Sequence, residues 1–288
     1  MTTLSSQDLQ AVIRLMTDQH DSDTLPLLRQ QLQNFEIGAL RELQGWARQA
    51  PDHVAMEIEQ ALRLRIWEGV EARLREQAAS AAPDLLELLV LLASFGRPEL
   101  EPATIRRDLA EMHVLADCRL DRDELPLERA LALADLLGNE LKFHAHANGP
   151  ECPEHYYLDR VLVSREGSPI LLGCLYLILG ERVGVPLQGV ALPQLFVVAV
   201  HNAPSDPQAL LYLDPSRRGL VLSRLDIVEA VEKAGGTFHE EFLKPVGTRL
   251  IFGRILHNLC ANYARSREDC RGEMLQRYMN LWAPGATC

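Results

Sequence analysis

The strongest constraint in this chain is one helix whose two ends are both written in residues. Gly167-Ser168-Pro169-Ile170 opens it, LLGCLYLILGERV carries it, and Gly184-Val185-Pro186 closes it. A serine ahead of the first turn can accept a hydrogen bond from the unpaired N–H groups there. Proline suits the first helical position, where an N–H would find no intrahelical partner. Glycine takes the left-handed conformation that ends helices, and a proline just beyond cannot continue one. Three short apolar runs follow, at Leu187–Leu192, Leu195–His201 and residues 210–213. Only Pro193 and Gln194 separate the first two, and the loop NAPSDPQ leads towards the third. Connections this short predict a meander of antiparallel strands directly after the helix.

The chain before residue 145 reads as helix. Leu9, Val12, Ile13 and Met16 recur at helical spacing, as do Leu25, Leu28, Leu32 and Phe35, and then Leu40, Leu43 and Trp46. The turns between these groups, HDSDT and residues 35–38, are short, which implies antiparallel neighbours and stacked helical hairpins. A long helix is predicted over residues 52–78, with Val54, Ile58, Leu62 and Ile66 on one face and Arg63, Arg65, Arg73 and Arg75 opposite. The arginines read as a solvated face in preference to a partner-binding stripe. Trp46, Trp67 and Trp282 stand singly, each expected to be partly buried in a helical contact. Asp84 can cap LLELLVLLASF, a run apolar nearly all round and suited to the centre of a core. Pro102 opens a helix to about residue 118, and Leu125 or Pro126 opens another to about Phe143. After the strands, RLIFGRILHNLCANYA, a break near residues 265–268 and CRGEMLQRYMNLWAP predict one more helical hairpin, of tetratricopeptide type. A single such repeat cannot bury its own face and is expected to pack on the rest of the chain.

Charge and cysteine usage exclude several classes of function. The formal net charge of −11 repels a phosphate backbone, so a nucleic-acid partner is not expected. The opening MTTLSSQDLQ has neither a basic segment nor an apolar core of a signal peptide, and the apolar run at residues 85–95 is too short to span a bilayer. An unexported, cytoplasmic protein with no membrane partner is the expectation. The six cysteines lack CxxC spacing, which fits reduced thiols, and Cys288 lacks the three following residues that a prenylation box needs.

Four stretches carry a family resemblance: Tyr157-Leu158-Asp159-Arg160-Val161-Leu162, then GSPILLGCLYLILGERVGVPLQGVALPQLF, then Leu213-Asp214-Pro215 with Gly219, and ILHNLCANY. In these stretches, and in its order of elements, the chain resembles the SirB transglutaminase-like family over nearly its whole length. The resemblance implies an α+β fold, predominantly helical. Residues 1–145 would form N-terminal helical hairpins, and residues 146–247 a small papain/transglutaminase-like core of helix plus antiparallel sheet. Residues 248–288 would form the tetratricopeptide-like hairpin.

Transglutaminases and their papain-like relatives place a cysteine at the start of the core helix, a histidine on the following strand and an aspartate or asparagine on the next. The helix N-terminus helps hold a thiolate, the histidine accepts its proton, and the carboxylate orients the imidazole. Matched element by element, the resemblance puts these positions on Pro169, Leu195 and Asp214. Proline offers no nucleophile and leucine no base. In the family the helix start commonly reads glycine, any residue, proline, isoleucine, serine, leucine, and a histidine commonly precedes the phenylalanine of the strand. Here Leu171 and Leu195 stand instead.

Rescue by neighbours is geometrically poor. Cys174 lies about 7.5 Å along the helix from Pro169 and about 140° around it. His201 shares a strand face with Leu195 but lies about 20 Å further on. Cys174 therefore reads as core filler. Asp214 followed by Pro215 reads as the end of a strand and the start of a turn, bonded to backbone amides, Arg217, Arg218 or water.

The reading that results is a non-catalytic protein acting in interaction or regulation. Its candidate groove for a protein or peptide is at Pro169, Leu195 and Asp214, flanked by Tyr157 and Tyr176. The alternative is a cysteine-dependent acyl transferase or hydrolase with a rearranged site. His144, His146, Cys152 and His155 form H-x-H-x5-C-x2-H, which has zinc-ligand types and would suit a zinc-stabilised scaffold. A histidine-rich polar turn is the plainer account, so no cofactor is expected.

Overall fold

The computed structural model describes residues 6–18, 30–47, 49–146, 152–201, 210–266 and 269–283. The chain divides into two compact units, one drawn from Met1–Arg73 and Ser94–Leu100, the other from Leu74–Ala93 and Glu101–Cys288. The fold is predominantly helical α+β, as expected.

The first unit holds α1 (Ser6–Asp18), α2 (Ile37–Ala47) and the part of α3 (Asp52–Ala79) up to Arg73. The helix expected around Leu25 to Phe35, and the HDSDT turn before it, fall largely outside the described residues; residues 30–33 are helical and Leu32 is buried. The α3 stripe forms as its spacing requires, with Val54, Ile58, Leu62 and Ile66 all buried. Trp67, on the same helix, donates its indole N–H to the Phe95 carbonyl at 3.0 Å and lays its ring 5.0 Å from that of Phe95. Arg63 covers the Trp67 ring, and Arg65 pairs with Glu68 of its own helix at 2.9 Å.

In the second unit, Asp84 caps α4 (Leu85–Gly96, whose last three residues belong to the first unit) by accepting the Glu87 N–H at 3.0 Å. Then come α5 (Pro102–Arg119) and α6 (Pro126–Asp135). The expected run from Pro126 to Phe143 stops short. The helix widens into a π-turn over Leu136–Glu140, and Lys142 takes a left-handed φ of 65° that ends it. The widening sits where Gly138 lies against the Arg218 backbone, too close for any side chain at 138.

A two-residue strand β1 (His144–Ala145) pairs in parallel with β2 (Glu166–Gly167), and between them lie a 3₁₀ turn (Pro153–Tyr156) and the short helix α7 (Leu158–Ser164). From Gly167 the chain enters α8 (Pro169–Val183), the helix legible at both ends. Ser168 accepts the Leu171 N–H at 3.4 Å, and Gly184 closes α8 with a φ of 69°.

Strands β3 (Leu187–Leu192), β4 (Leu195–His201), β5 (Leu210–Asp214) and β6 (Leu220–Leu222) form the antiparallel meander, in the order β3-β4-β5-β6. Val190 pairs with Val197, Val198 with Leu213, and Asp214 with Leu220. The near-continuous apolar run of β4 follows from burial on both faces. Phe196 packs on Gly173 of α8, and alternation puts Val198 and Val200 on that same side. Val197 and Ala199 join Val190, Tyr212 and Leu222 in a second layer against Ile227 and Val231 of α9 (Arg224–Lys233).

The tail forms α10 (Thr248–Ser266) and α11 (Asp269–Trp282). The first helix thus runs into the expected break, of which residues 267–268 lie outside the described residues. Phe252, early in α10, meets Trp282, late in α11, edge to face at 4.9 Å, so the pair is antiparallel. The Trp282 N–H donates to the Arg249 carbonyl at 2.9 Å. Among the described residues no helix is long and apolar enough to cross a membrane.

Candidate functional site

The start of α8 is held from two directions. Ser168 is fully buried, its side chain capping the helix, while its own N–H donates to the His155 carbonyl at 2.9 Å. Pro169 is thereby fixed at the first helical position. Across from it, Gln194 takes a left-handed φ of 57° that turns β3 into β4 and delivers Leu195 as the first strand residue. Pro169 and Leu195 line one open cleft of about 450 Å³. Its far wall is a face of α10 that presents Arg254, Asn258, Ala261, Asn262 and Arg265. Asn262 donates to the Asn258 carbonyl at 2.8 Å, and Arg265 donates to Asn262 Oδ1 at 2.9 Å. This polar wall is what the sequence reading misses. Its signal is the spacing of four, four and three residues from Arg254 to Asn258, Asn262 and Arg265, a polar stripe along one helix face.

The remaining residues of the expected groove lie elsewhere. Asp214 is 1% exposed and does not line the cleft. Its carboxylate accepts the Ser216 N–H at 2.9 Å, the Ser216 hydroxyl, and Arg217 Nε–H at 2.7 Å. It caps the 3₁₀ turn Pro215–Arg217 that leads from β5 to β6, so its lone pairs serve the turn. Tyr157 is buried with its hydroxyl 2.8 Å from that of Tyr263, and burial, reinforced by Tyr263, pushes its ionisation well above the ordinary tyrosine value. Tyr176 is buried in α8 and reaches the Ala134 carbonyl at 3.5 Å. Burial, then the Asp214 charge, pushes its hydroxyl upward as well.

The substitute nucleophile and base remain apart. Cys174 is fully buried, and that burial drives its thiol far above the ordinary value. His201 stands at the other end of β4 from Leu195, paired with Leu210.

The histidine-rich segment does converge. Pairing of β1 with β2 sets His144 opposite Glu166, with His144 Nε2 3.6 Å from one carboxylate oxygen and His146 Nδ1 3.1 Å from the other. His155, buried in the 3₁₀ turn, stacks on His146 with ring centroids 4.5 Å apart. Cys152 Sγ lies 3.7 Å from both ring nitrogens of His155, and the Cys152 N–H donates to His155 Nδ1 at 3.2 Å. The hydrogen bond from His146, with the nearby His144 and His155 rings, holds the Glu166 carboxyl below the usual range.

The helix-and-sheet region has relatives of known family. Residues 103–257 match the sequence profile of the transglutaminase-like superfamily. The chain belongs to that superfamily. It is 30% identical over 217 residues to a UPF0162 protein of Pseudomonas aeruginosa, covering 72% of this chain and 76% of that one. It is 29% identical over 207 residues to a UPF0162 protein of Xylella fastidiosa, covering 68% and 71%. A human relative, F-box only protein 21, is 24% identical over 155 residues, which is 52% of this chain and 24% of that protein. No solved structure matches the chain. The superfamily match takes in Pro169, Leu195 and Asp214 and ends within α10, so the cleft wall from Asn258 to Arg265 lies beyond it.

Proposed function

We propose that this chain is a non-catalytic, SirB-type member of the superfamily, with a tetratricopeptide-like tail hairpin. It acts in the cytoplasm by holding a protein or peptide, in interaction or regulation. The observation that carries the reading is the meeting of Pro169 and Leu195 in one cleft. At the two positions where the resemblance places a thiol and an imidazole, the chain carries proline and leucine, which supply neither a nucleophile nor a base. Opposite them, Asn258 and Arg265, the latter oriented by the buried Asn262, offer amide and guanidinium groups, which suit the backbone and carboxylates of a peptide. The free thiols Cys118, Cys152, Cys174, Cys260 and Cys270 fit a reducing compartment.

The alternative, a cysteine-dependent acyl transferase or hydrolase with a rearranged site, would need a thiolate beside a base. Cys152 touches His155, but burial and then Glu154 push its thiol up, opposite to the direction an activated nucleophile requires. Affinity capture from the native cell, wild type beside Leu195→Arg and Asn262→Ala, tests the reading. Partners identified by mass spectrometry are expected with wild type and lost with the cleft variants, both of which should keep their circular dichroism. A covalent acyl adduct on any cysteine after incubation with activated esters would overturn it.

A further inference from the structure

Three imidazoles, a carboxylate and a thiol meet where β1, β2 and the Pro153–Tyr156 turn come together. The donor atoms of His146, His155 and Glu166 all lie within 4.8 Å of one another. We propose that these three residues bind a divalent transition-metal ion of the zinc class, with Cys152 Sγ as the fourth ligand. In a tetrahedral zinc site, nitrogen and oxygen ligands at ordinary bond lengths stand about 3.3 Å apart, and sulfur and nitrogen about 3.6 Å. The His146 to Glu166 separation of 3.1 Å and the Cys152 to His155 separation of 3.7 Å are already at those spacings. Cys152 Sγ, 3.7 Å from His155 but outside the group of three, would join the ion by side-chain rotation.

The donor set names the class of ion. Two imidazoles and a thiol with a single carboxylate are borderline ligands, suited to zinc and its neighbours, whereas calcium and magnesium require shells of oxygen. The ion would replace the hydrogen bond between His146 Nδ1 and Glu166 Oε2 and, with His155 Nδ1 as ligand, the long one from the Cys152 N–H. His144, beside the second Glu166 oxygen, would orient that carboxylate from outside the ligand set. The site would tie together three segments that have little regular structure of their own. It would also brace the entry to α8, because the His155 carbonyl holds the Ser168 N–H.

The test is direct zinc binding by the full chain, stripped of metal with a chelator, dialysed, and titrated with zinc chloride against a chromogenic competitor. One zinc per chain is expected, with a Kd tighter than about 1 µM and a higher melting temperature when zinc is present. His146→Ala and Glu166→Gln, at partly exposed positions, should keep the fold and each weaken binding at least about tenfold. Cys152→Ser should weaken it too. A Cys118→Ser, Cys270→Ser double variant, which changes two exposed thiols outside the cluster, should leave it unchanged. Substoichiometric or millimolar binding would overturn the proposal, as would zinc uptake that survives both His146→Ala and Glu166→Gln or disappears only with Cys118 and Cys270.

Discussion

Gly173 of α8 lies directly beneath the ring of Phe196, so closely that a Cβ at 173 would overlap Cδ1 and Cε1 of that ring. The other end of the ring stands 2.8 Å from where a Cβ at Gly189 would be. Two glycines, one on the helix and one on β3, thus make the slot that seats the β4 phenylalanine next to Leu195. Gly173→Ala raises helix propensity by about 1 kcal/mol, and overpacking a filled core costs about 1–3 kcal/mol. The clash is with a ring wedged between helix and sheet, so the variant is expected to be less stable, with a lower urea midpoint. Adding Phe196→Leu should recover part of the loss, and that non-additivity is the measurement that ties the effect to this contact.

Asp214 supports a turn, and its removal should be felt as stability. Asp214→Ala deletes an acceptor of two hydrogen bonds from Ser216 and one from Arg217 in a site that is 1% exposed. Hydrogen bonds to a buried charge are worth about 1.5–3 kcal/mol, so a loss of about 2–3 kcal/mol is expected in denaturant titration. Asp214→Asn keeps an acceptor for the Ser216 N–H and should lose less. The half-exposed Arg217 limits how much its ion pair adds.

The elements readable in advance are those whose pattern is local. The cap, stripe and stop of α8 occupy one continuous stretch, and β3, β4 and β5 alternate or run apolar between short turns. The elements that escape are short or induced by packing. β6 is only Leu220–Leu222 and exists because it pairs with β5. The stop of α6 at Asp135, short of Phe143, falls beside Gly138, which meets the Arg218 backbone eighty residues away in sequence.

The site divides in the same way. Matching helix start to strand start brings out Pro169 and Leu195, which line one cleft, since that correspondence follows chain order. Tyr157, Tyr176 and Asp214 are near in sequence to those elements but are turned into the core or a turn, which no spacing reveals. Glu166 joins His146 and His155 through a parallel pairing of two-residue strands too short to carry a periodicity.

The Tyr157–Tyr263 pair should leave a mark on alkaline stability. Both Tyr157 and Tyr176 have hydroxyls raised above the ordinary value by burial, so the native state holds their protons where the unfolded chain has released them. Stability from these groups is complete below the unfolded tyrosine pKa of about 10 and declines as pH rises above it. Tyr157→Phe is expected to cost about 1 kcal/mol at neutral pH and to flatten the decline above pH 10. Denaturant titrations at several pH values compare the two slopes. An unchanged slope would count against the assignment to Tyr157.

Thiol labelling gives the most discriminating test of the proposed non-catalytic reading. Cys118 and Cys270 are exposed, Cys152 is half-buried, and Cys174 and Cys260 are buried. Reaction with an aromatic disulfide reagent follows thiolate fraction and access together. In the folded protein, Cys118 and Cys270 should react at the rates of ordinary surface thiols. In the metal-free protein Cys152 is expected to be slower, because burial and Glu154 raise its pKa above the usual value, and its rate should keep rising at pH values above the free-thiol pKa of about 8.5. Cys174 should react only on global unfolding, since its thiolate is suppressed and no path reaches it. Peptide mapping of the labelled protein assigns each phase. One cysteine reacting faster than a free thiol at pH 6 would mean an activated nucleophile and would overturn the proposed non-catalytic reading.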